Sequence, residues 1–173
     1  MESISKKSSN SFQCVDALEV SLSIEKQGFI YYDKAAKSAT NPRVRAIFLR
    51  LANEEKEHIQ SLQSKTRFLQ PALANRAKSQ ASRTESFIKN EIHGKVFPTS
   101  GDFEDGLGVV ENDFEALSIG INAEIKSIEL LSQLIASEKK MDVRVIFNHL
   151  LAEEKKHLLA LEELRKDLGH ERA

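Results

Sequence analysis

The chain is poor in the residues that interrupt helices. Among 173 residues there are seven glycines and three prolines, while Ala, Leu, Glu, Lys and Ser dominate, a balance that predicts an all-α protein. Cysteine is almost absent. Cys14 stands alone, which excludes an internal disulfide framework, a Cys₄ zinc site and a rubredoxin-type iron centre on this chain. A reducing, cytoplasmic setting is therefore the expected location. Excess charge is lacking too: the formal balance is −1, so no electrostatic case exists for nucleic acid or for an anionic membrane as partner. No stretch approaches the ~18 consecutive apolar residues of a membrane span. The opening "MESISKKSSNS" is polar and has no signal-peptide core; residues 1–10 are expected to form a flexible leader.

What is present is a helical rhythm. Four segments carry apolar residues at alternating three- and four-residue steps. The stripes are Val15, Leu18, Leu22, Glu25, Phe29, Tyr32, Ala36; then Val44, Phe48, Leu51, Glu55, His58, Leu62, Lys65, Leu69; then Phe114, Leu117, Ile121, Glu124, Ile128, Leu131, Ile135; and last Val143, Phe147, Leu150, Glu154, His157, Leu161, Leu164, Leu168. Asn41-Pro42 reads as a cap followed by proline at the first helical position, Asn112 with Glu115 as a capping box, Asp142 as a further cap and Gly169 as a stop. Helices are predicted over about 11–39, 42–69, 112–138 and 142–168. The short joints near residues 40 and 140 make two antiparallel hairpins, 11–69 and 112–168. A crossover at 70–111 joins them within a single domain spanning 11–173. Its first part, Asn75 to Ile92, is predicted to be a connecting helix, and "HGKVFPTSGDFEDGLG" a turn-rich return.

The hairpins repeat each other. A shift of 99 residues superimposes Glu25 on Glu124, Phe48 on Phe147, Glu54-Glu55-Lys56 on Glu153-Glu154-Lys155 and His58 on His157 without a gap. Two hairpins related by an approximate two-fold axis are expected.

Six stripe positions are wrong for an apolar core: Glu25, Glu55, His58, Glu124, Glu154 and His157. Glu25 lies about fifteen residues before the first turn and Glu55 about fifteen after it, so at ~1.5 Å per residue both reach the same height. Glu124 and Glu154 flank the second turn in the same way. Four ionised carboxylates in one apolar layer would each cost several kcal/mol in desolvation, so the layer must take up protons or bind multivalent cations. Two divalent ions balance four carboxylates, and a Glu with Glu-x-x-His on paired helices is the ligand pattern of di-iron and di-manganese bundles. The alternative is a buried polar network without metal.

The motifs "ALEVSLSIEKQGFIYY", "LANEEKEH", "ALSIGINAEIKSIELL" and "LLAEEKKH" resemble the ferritin-like superfamily, and within it the rubrerythrin-related proteins. The resemblance implies a ferritin-like four-helix bundle of two antiparallel hairpins holding two iron ions, with manganese the alternative. Glu55 and Glu154 would bridge the metals, Glu25 and Glu124 would be terminal ligands, and His58 and His157 would serve one metal each. It implies redox chemistry with O2 or peroxide, as ferroxidase or peroxidase, in iron or oxidative-stress handling. A peroxidase would then need an external electron donor, and a homodimer is the expected assembly. Competing readings are a di-manganese catalase-like enzyme and a non-catalytic helical scaffold with a vestigial site. The chain departs from rubrerythrins proper: the rubredoxin-like Cys₄ domain is missing, and Ser127, with Gly28 as its repeat mate, stands where an additional metal-facing Glu is expected. No fifth helix is expected after Gly169, and neither Met is placed mid-helix as a haem ligand, so a storage cage is not expected.

Tyr32, two turns beyond Glu25, reads either as a hydrogen-bond partner of a ligand or as a core tyrosine. Glu54, Glu57 and Glu153 read as a solvated face, His93, His149 and His170 as structural or exposed, and Cys14 as a half-buried inert thiol. Arg45 and Arg144 fit short hairpin turns.

Overall fold

A computed structural model describes residues 12–69, 71, 74–99 and 112–170. Helix α1 (Cys14–Ser38) and α2 (Pro42–Phe68) pack as one antiparallel pair, and α4 (Asp113–Ser137) and α5 (Met141–His170) as another. Between the pairs lies α3 (Lys78–Phe87), whose last turn widens into a π-helical segment over Ile88–Ile92. Gly94, at φ 71°, follows that segment in the left-handed conformation that favours glycine. Among the described residues there is no strand, and no helix is long and apolar enough to cross a membrane. The expected leader, and the end of the crossover from Ser100 to Glu111, lie outside the described residues.

Local chemistry sets most helix boundaries. Asn41 Oδ1 accepts from the amides of Arg43 (2.8 Å) and Val44 (3.4 Å), with Pro42 following at the first helical position. Asn112 Oδ1 accepts from the Glu115 amide at 3.0 Å. Two expected boundaries fail. Helix α5 begins at Met141, so Asp142 lies inside its first turn, its Oδ1 accepting from the Val143 amide. It also runs through Gly169 to His170, because a helical glycine costs only about 1 kcal/mol and nothing nearby forces a turn.

The crossover is long because α2 finishes at the wrong end of the bundle. Asp113, which opens α4, accepts hydrogen bonds from Thr40 N, Thr40 Oγ1 and Asn41 N at 2.6–3.0 Å. The second pair therefore starts beside the α1–α2 turn, a helix length away from Phe68. Burial works against the Asp113 carboxylate, but those three donors outweigh it and hold its pKa below the usual range. Arg45 closes the same turn by donating from Nη2 to the Ala39 carbonyl at 2.6 Å.

The core is built from the stripes, with adjustments. Val15, Leu18, Val44, Phe48, Leu51, Leu117, Ile121, Leu131, Val143, Phe147 and Leu161 are all buried, each stabilising by about 1.5–3 kcal/mol. Phe114 and Lys65, stripe positions near helix ends, are exposed instead of buried. In their place the crossover contributes Ile92, Val96 and Phe97. Phe97 packs on Tyr31 and Tyr32 at ring-centroid distances of 5.9 Å, and Phe48 joins that group. At the other end Phe12 meets Phe87 and Phe147 edge to face.

Cys14 Sγ donates to Asp142 Oδ2 at 2.9 Å. Partial burial, followed by the Asp142 carboxylate, pushes the thiol up to about 11. A raised thiol pKa means less thiolate at any pH below it. Iodoacetamide at pH 8 is accordingly expected to alkylate Cys14 on the order of 100-fold more slowly than a free cysteine, with the rate climbing toward pH 11. Mass spectrometry over a time course reads this directly, and a free-cysteine rate would contradict it.

Candidate metal centre

All six stripe residues singled out in the sequence converge on one layer between the helix pairs. Glu25 comes from α1, Glu55 and His58 from α2, Glu124 from α4, Glu154 and His157 from α5. Their ligating atoms form two overlapping groups within 4.8 Å: Glu55, Glu124, Glu154 and His157 in one, Glu25, Glu55 and His58 in the other. Glu55 belongs to both. The carboxylates are at most 2% exposed, as is His157, whereas the His58 side chain is 23% exposed. The two halves are thus similar in composition and unequal in access.

Each imidazole is oriented alike. His157 Nδ1 faces inward to Glu55 Oε1 (3.3 Å), Glu154 Oε2 (3.6 Å) and Glu124 Oε1 (3.7 Å). Its Nε2 faces outward to Glu54 Oε2 at 3.3 Å. His58 Nδ1 meets Glu25 Oε2 at 3.3 Å, while its Nε2 faces Glu153 Oε2 at 3.8 Å. Glu54 and Glu153 are therefore more than a solvated face: each carboxylate backs the histidine of the opposite helix pair. Glu57 alone of that group is exposed. The signal for this was legible in the repeat, because a carboxylate precedes the stripe Glu in both halves; its direction across the bundle was not.

Two further contacts hold the carboxylates. The Tyr32 hydroxyl donates to Glu124 Oε1, while its ring lies in the buried aromatic core with Phe48 and Phe97. Ser127 Oγ donates to Glu154 Oε1 at 2.6 Å. Gly28, at the equivalent place on α1, has no side chain because Glu55 is there: a Cβ would lie 2.8 Å from Glu55 Oε1 and 3.3 Å from Phe97 Cζ. The two positions where an additional metal-facing Glu was considered are thus filled by a hydroxyl that anchors one carboxylate and a gap that admits another. Gly28→Ala is expected to displace Glu55 and weaken metal binding about 10–100-fold, the range for perturbed supporting groups. Titration of the stripped variant with Fe(II) under anaerobic conditions measures it; unchanged affinity would show that Glu55 does not need this space.

Without metal the layer is electrostatically unsettled. Burial first, and then the neighbouring Glu25, pushes the Glu55 carboxyl well above its usual range. Burial and the Glu154 charge do the same to Glu124. Glu154 goes the other way, because His157, Glu124 and Ser127 outweigh its burial. Burial disfavours the His157 imidazolium, yet the surrounding carboxylates raise its pKa strongly, and the Glu25 hydrogen bond raises that of His58. Burial, then Glu124, raises the Tyr32 phenol. Even so, Glu124 Oε2, Glu154 Oε2 and both His157 ring nitrogens are buried without a hydrogen-bond partner of good geometry. Buried polar atoms are rarely left so. Carboxylate oxygens and imidazole nitrogens converging on one dry point form a donor set that fits a divalent metal.

His93, His149 and His170 are exposed, as expected. The sequence reading missed Asp16. It is fully buried, accepting from Gln13 N (2.7 Å), Gln80 Nε2 (2.7 Å) and Thr84 Oγ1 (2.9 Å) and pairing with Arg76 at 2.8 Å. This group ties the crossover to α1. Asp16 falls one residue after Val15 on the stripe, so periodicity alone assigned it to solvent.

Comparison with curated proteins and with solved structures found no match. The family model for rubrerythrin matches residues 16–165, which takes in most of all four bundle helices and every residue of the Glu/His cluster. The chain belongs to the rubrerythrin family.

Proposed function

We propose that Glu25, Glu55, His58, Glu124, Glu154 and His157 would hold two iron ions, Glu55 being common to both ligand groups, and that the bound pair would supply redox chemistry toward O2 or peroxide. The observation that carries the reading is the convergence of buried ligand atoms between the helix pairs into two groups that share Glu55, with Glu124 Oε2 and Glu154 Oε2 left without a hydrogen-bond partner. The family points the same way, toward a di-metal site that is commonly iron. When bound, the metal pair supplies the electrons, cycling between ferrous and ferric.

The chain's own residues prepare that chemistry. Glu54 and Glu153 back the outward ring nitrogens and leave each inward Nδ1 lone pair free for a metal. Ser127 and Tyr32 fix the rotamers of Glu154 and Glu124. Glu55, Glu124, Glu154 and His157 are at most 2% exposed, which strengthens the charge interactions among them. Reduction of one peroxide to two waters consumes two electrons and two protons. With one cysteine this chain carries no Cys₄ iron centre, so those electrons come from a separate donor.

Metal analysis of protein produced without metal bias tests the reading. About two iron ions per chain are expected, and Glu55→Ala with Glu154→Ala is expected to lose both, together with oxidation of Fe(II). A double variant that keeps the parent's metal content places the metal elsewhere. Predominant manganese, with peroxide turnover needing no reductant, would replace iron redox chemistry by a catalase-type reaction.

A further inference from the structure

The two halves differ in one respect that the metal centre does not require. A cavity of about 250 Å³ runs beside His58, whose side chain is 23% exposed, whereas His157 in the other half is 2% exposed. Its inner end is formed by Glu25 and His58, its walls by Leu18, Leu62, Ile146 and Leu150. Leu18 precedes Glu25 by seven residues and Lys65 follows His58 by seven, so the cavity extends about 10 Å along the helices. Lys65, His149 and Val145 stand at the outer end, all exposed.

Sequence differences between the halves explain the space. Around Gly120 and Leu161 the volume is taken by Tyr31 and Tyr32, whose rings come within 3.4–3.6 Å of a Cβ built at Gly120. The residues 99 positions after those tyrosines are Leu130 and Leu131, which carry no aromatic ring to fill the matching region beside Leu62. At the rim the difference is chemical: Lys65 stands where the other half has Leu164. Lys65 forms no ion pair among the described residues.

We propose that this cavity binds a small amphipathic carboxylate, with its anionic group at Lys65 and its aliphatic chain lying between Leu18, Leu62 and Ile146 toward His58. The polarity follows from the rim: the Lys65 ammonium at the outer end attracts an anion, while at the inner end His58 is already paired with the Glu25 carboxylate at 3.3 Å. The volume lies just under that of pockets for drug-sized ligands, about 300 Å³ and above, which suits a short aliphatic chain. This binding rests on the cavity alone and needs no metal.

Octanoate is the probe, titrated calorimetrically into the metal-free, full-length chain. Saturable one-to-one binding is expected. Lys65→Glu, an exposed change that leaves the core alone, is expected to weaken it about tenfold, the equivalent of roughly 1.4 kcal/mol. Ile146→Trp, with its fold checked by circular dichroism, is expected to abolish binding by filling the cavity. 1-Octanol is expected to bind more weakly and to ignore Lys65→Glu. The proposal is overturned if octanoate fails to bind the folded protein, including the case where a second copy of the chain covers Val145 and closes the mouth. It is equally overturned if neither variant alters octanoate binding. Metal content is measured on the same samples, so octanoate binding without metal uptake sinks the di-iron reading alone, and metal uptake without octanoate binding sinks this one alone.

Discussion

Stripping the metal from the protein is expected to lower its unfolding free energy by about 3–4 kcal/mol at ligand concentrations some hundred to a thousand times the dissociation constant. Urea melts with and without Fe(II) under anaerobic conditions measure the difference. The reason is the layer's composition: Glu124 Oε2 and Glu154 Oε2 have no hydrogen-bond partner, and four carboxyls crowd around the inward His157 Nδ1 and His58 Nδ1. Glu55→Leu, which replaces a buried carboxyl shared by both ligand groups with an aliphatic side chain, is expected to be at least as stable as the stripped parent and to gain nothing from Fe(II). Parent and variant responding equally to Fe(II) would show that metal does not act on this layer.

The same experiment has a pH dependence of defined sign. The raised groups, Glu55, Glu124, His58 and His157, bind protons more readily in the folded, metal-free state than in the unfolded chain. Their contribution to the stripped protein's stability is present at low pH and lost as pH rises through their folded pKa values. Ligation needs the deprotonated forms, so metal uptake at pH 7 is expected to release protons and to weaken in acid. A weakly buffered solution with an indicator dye records that release.

The second large effect lies away from the metal centre. Asp16→Ala is expected to destabilise the protein by about 3 kcal/mol, the lower end for removal of one partner from a buried ion pair. The substitution deprives Gln13 N, Gln80 Nε2 and Thr84 Oγ1 of their acceptor and leaves Arg76, whose side chain is only 6% exposed, with Glu19 as its remaining carboxylate at 2.8 Å. That surviving pair keeps the loss from being larger. Amide hydrogen exchange is expected to rise across α3 and the first turn of α1 before it rises in α2 or α5. Uniform exchange throughout the chain would show that Asp16 supports the whole bundle and not the crossover alone.

The helices and the six clustered Glu and His positions were readable without coordinates because each rests on a short-range regularity. A three-to-four periodicity exposes any residue that breaks it, and Glu55 and His58 break it twice, 99 residues apart. What escaped were features decided by which helix lies opposite. Glu54 and Glu153 are off the stripe by one position, and only the crossing of the pairs brings them to the outer nitrogens of His157 and His58. Asp16 looks solvated until Arg76, Gln80 and Thr84 arrive from residues sixty or more away in the chain.

By itself the sequence determined four amphipathic helices, two tight joints, a long return and a layer of carboxylates and histidines at one height, since all of these follow from helical pitch and from the cost of burying charge. Tertiary packing alone decided the rest: which carboxylate backs which histidine, why a side chain at position 28 would meet Glu55, and why His58 is more exposed than His157. Those depend on distances between side chains of separate helices, and periodicity along a single helix carries no information about its neighbour's side chains.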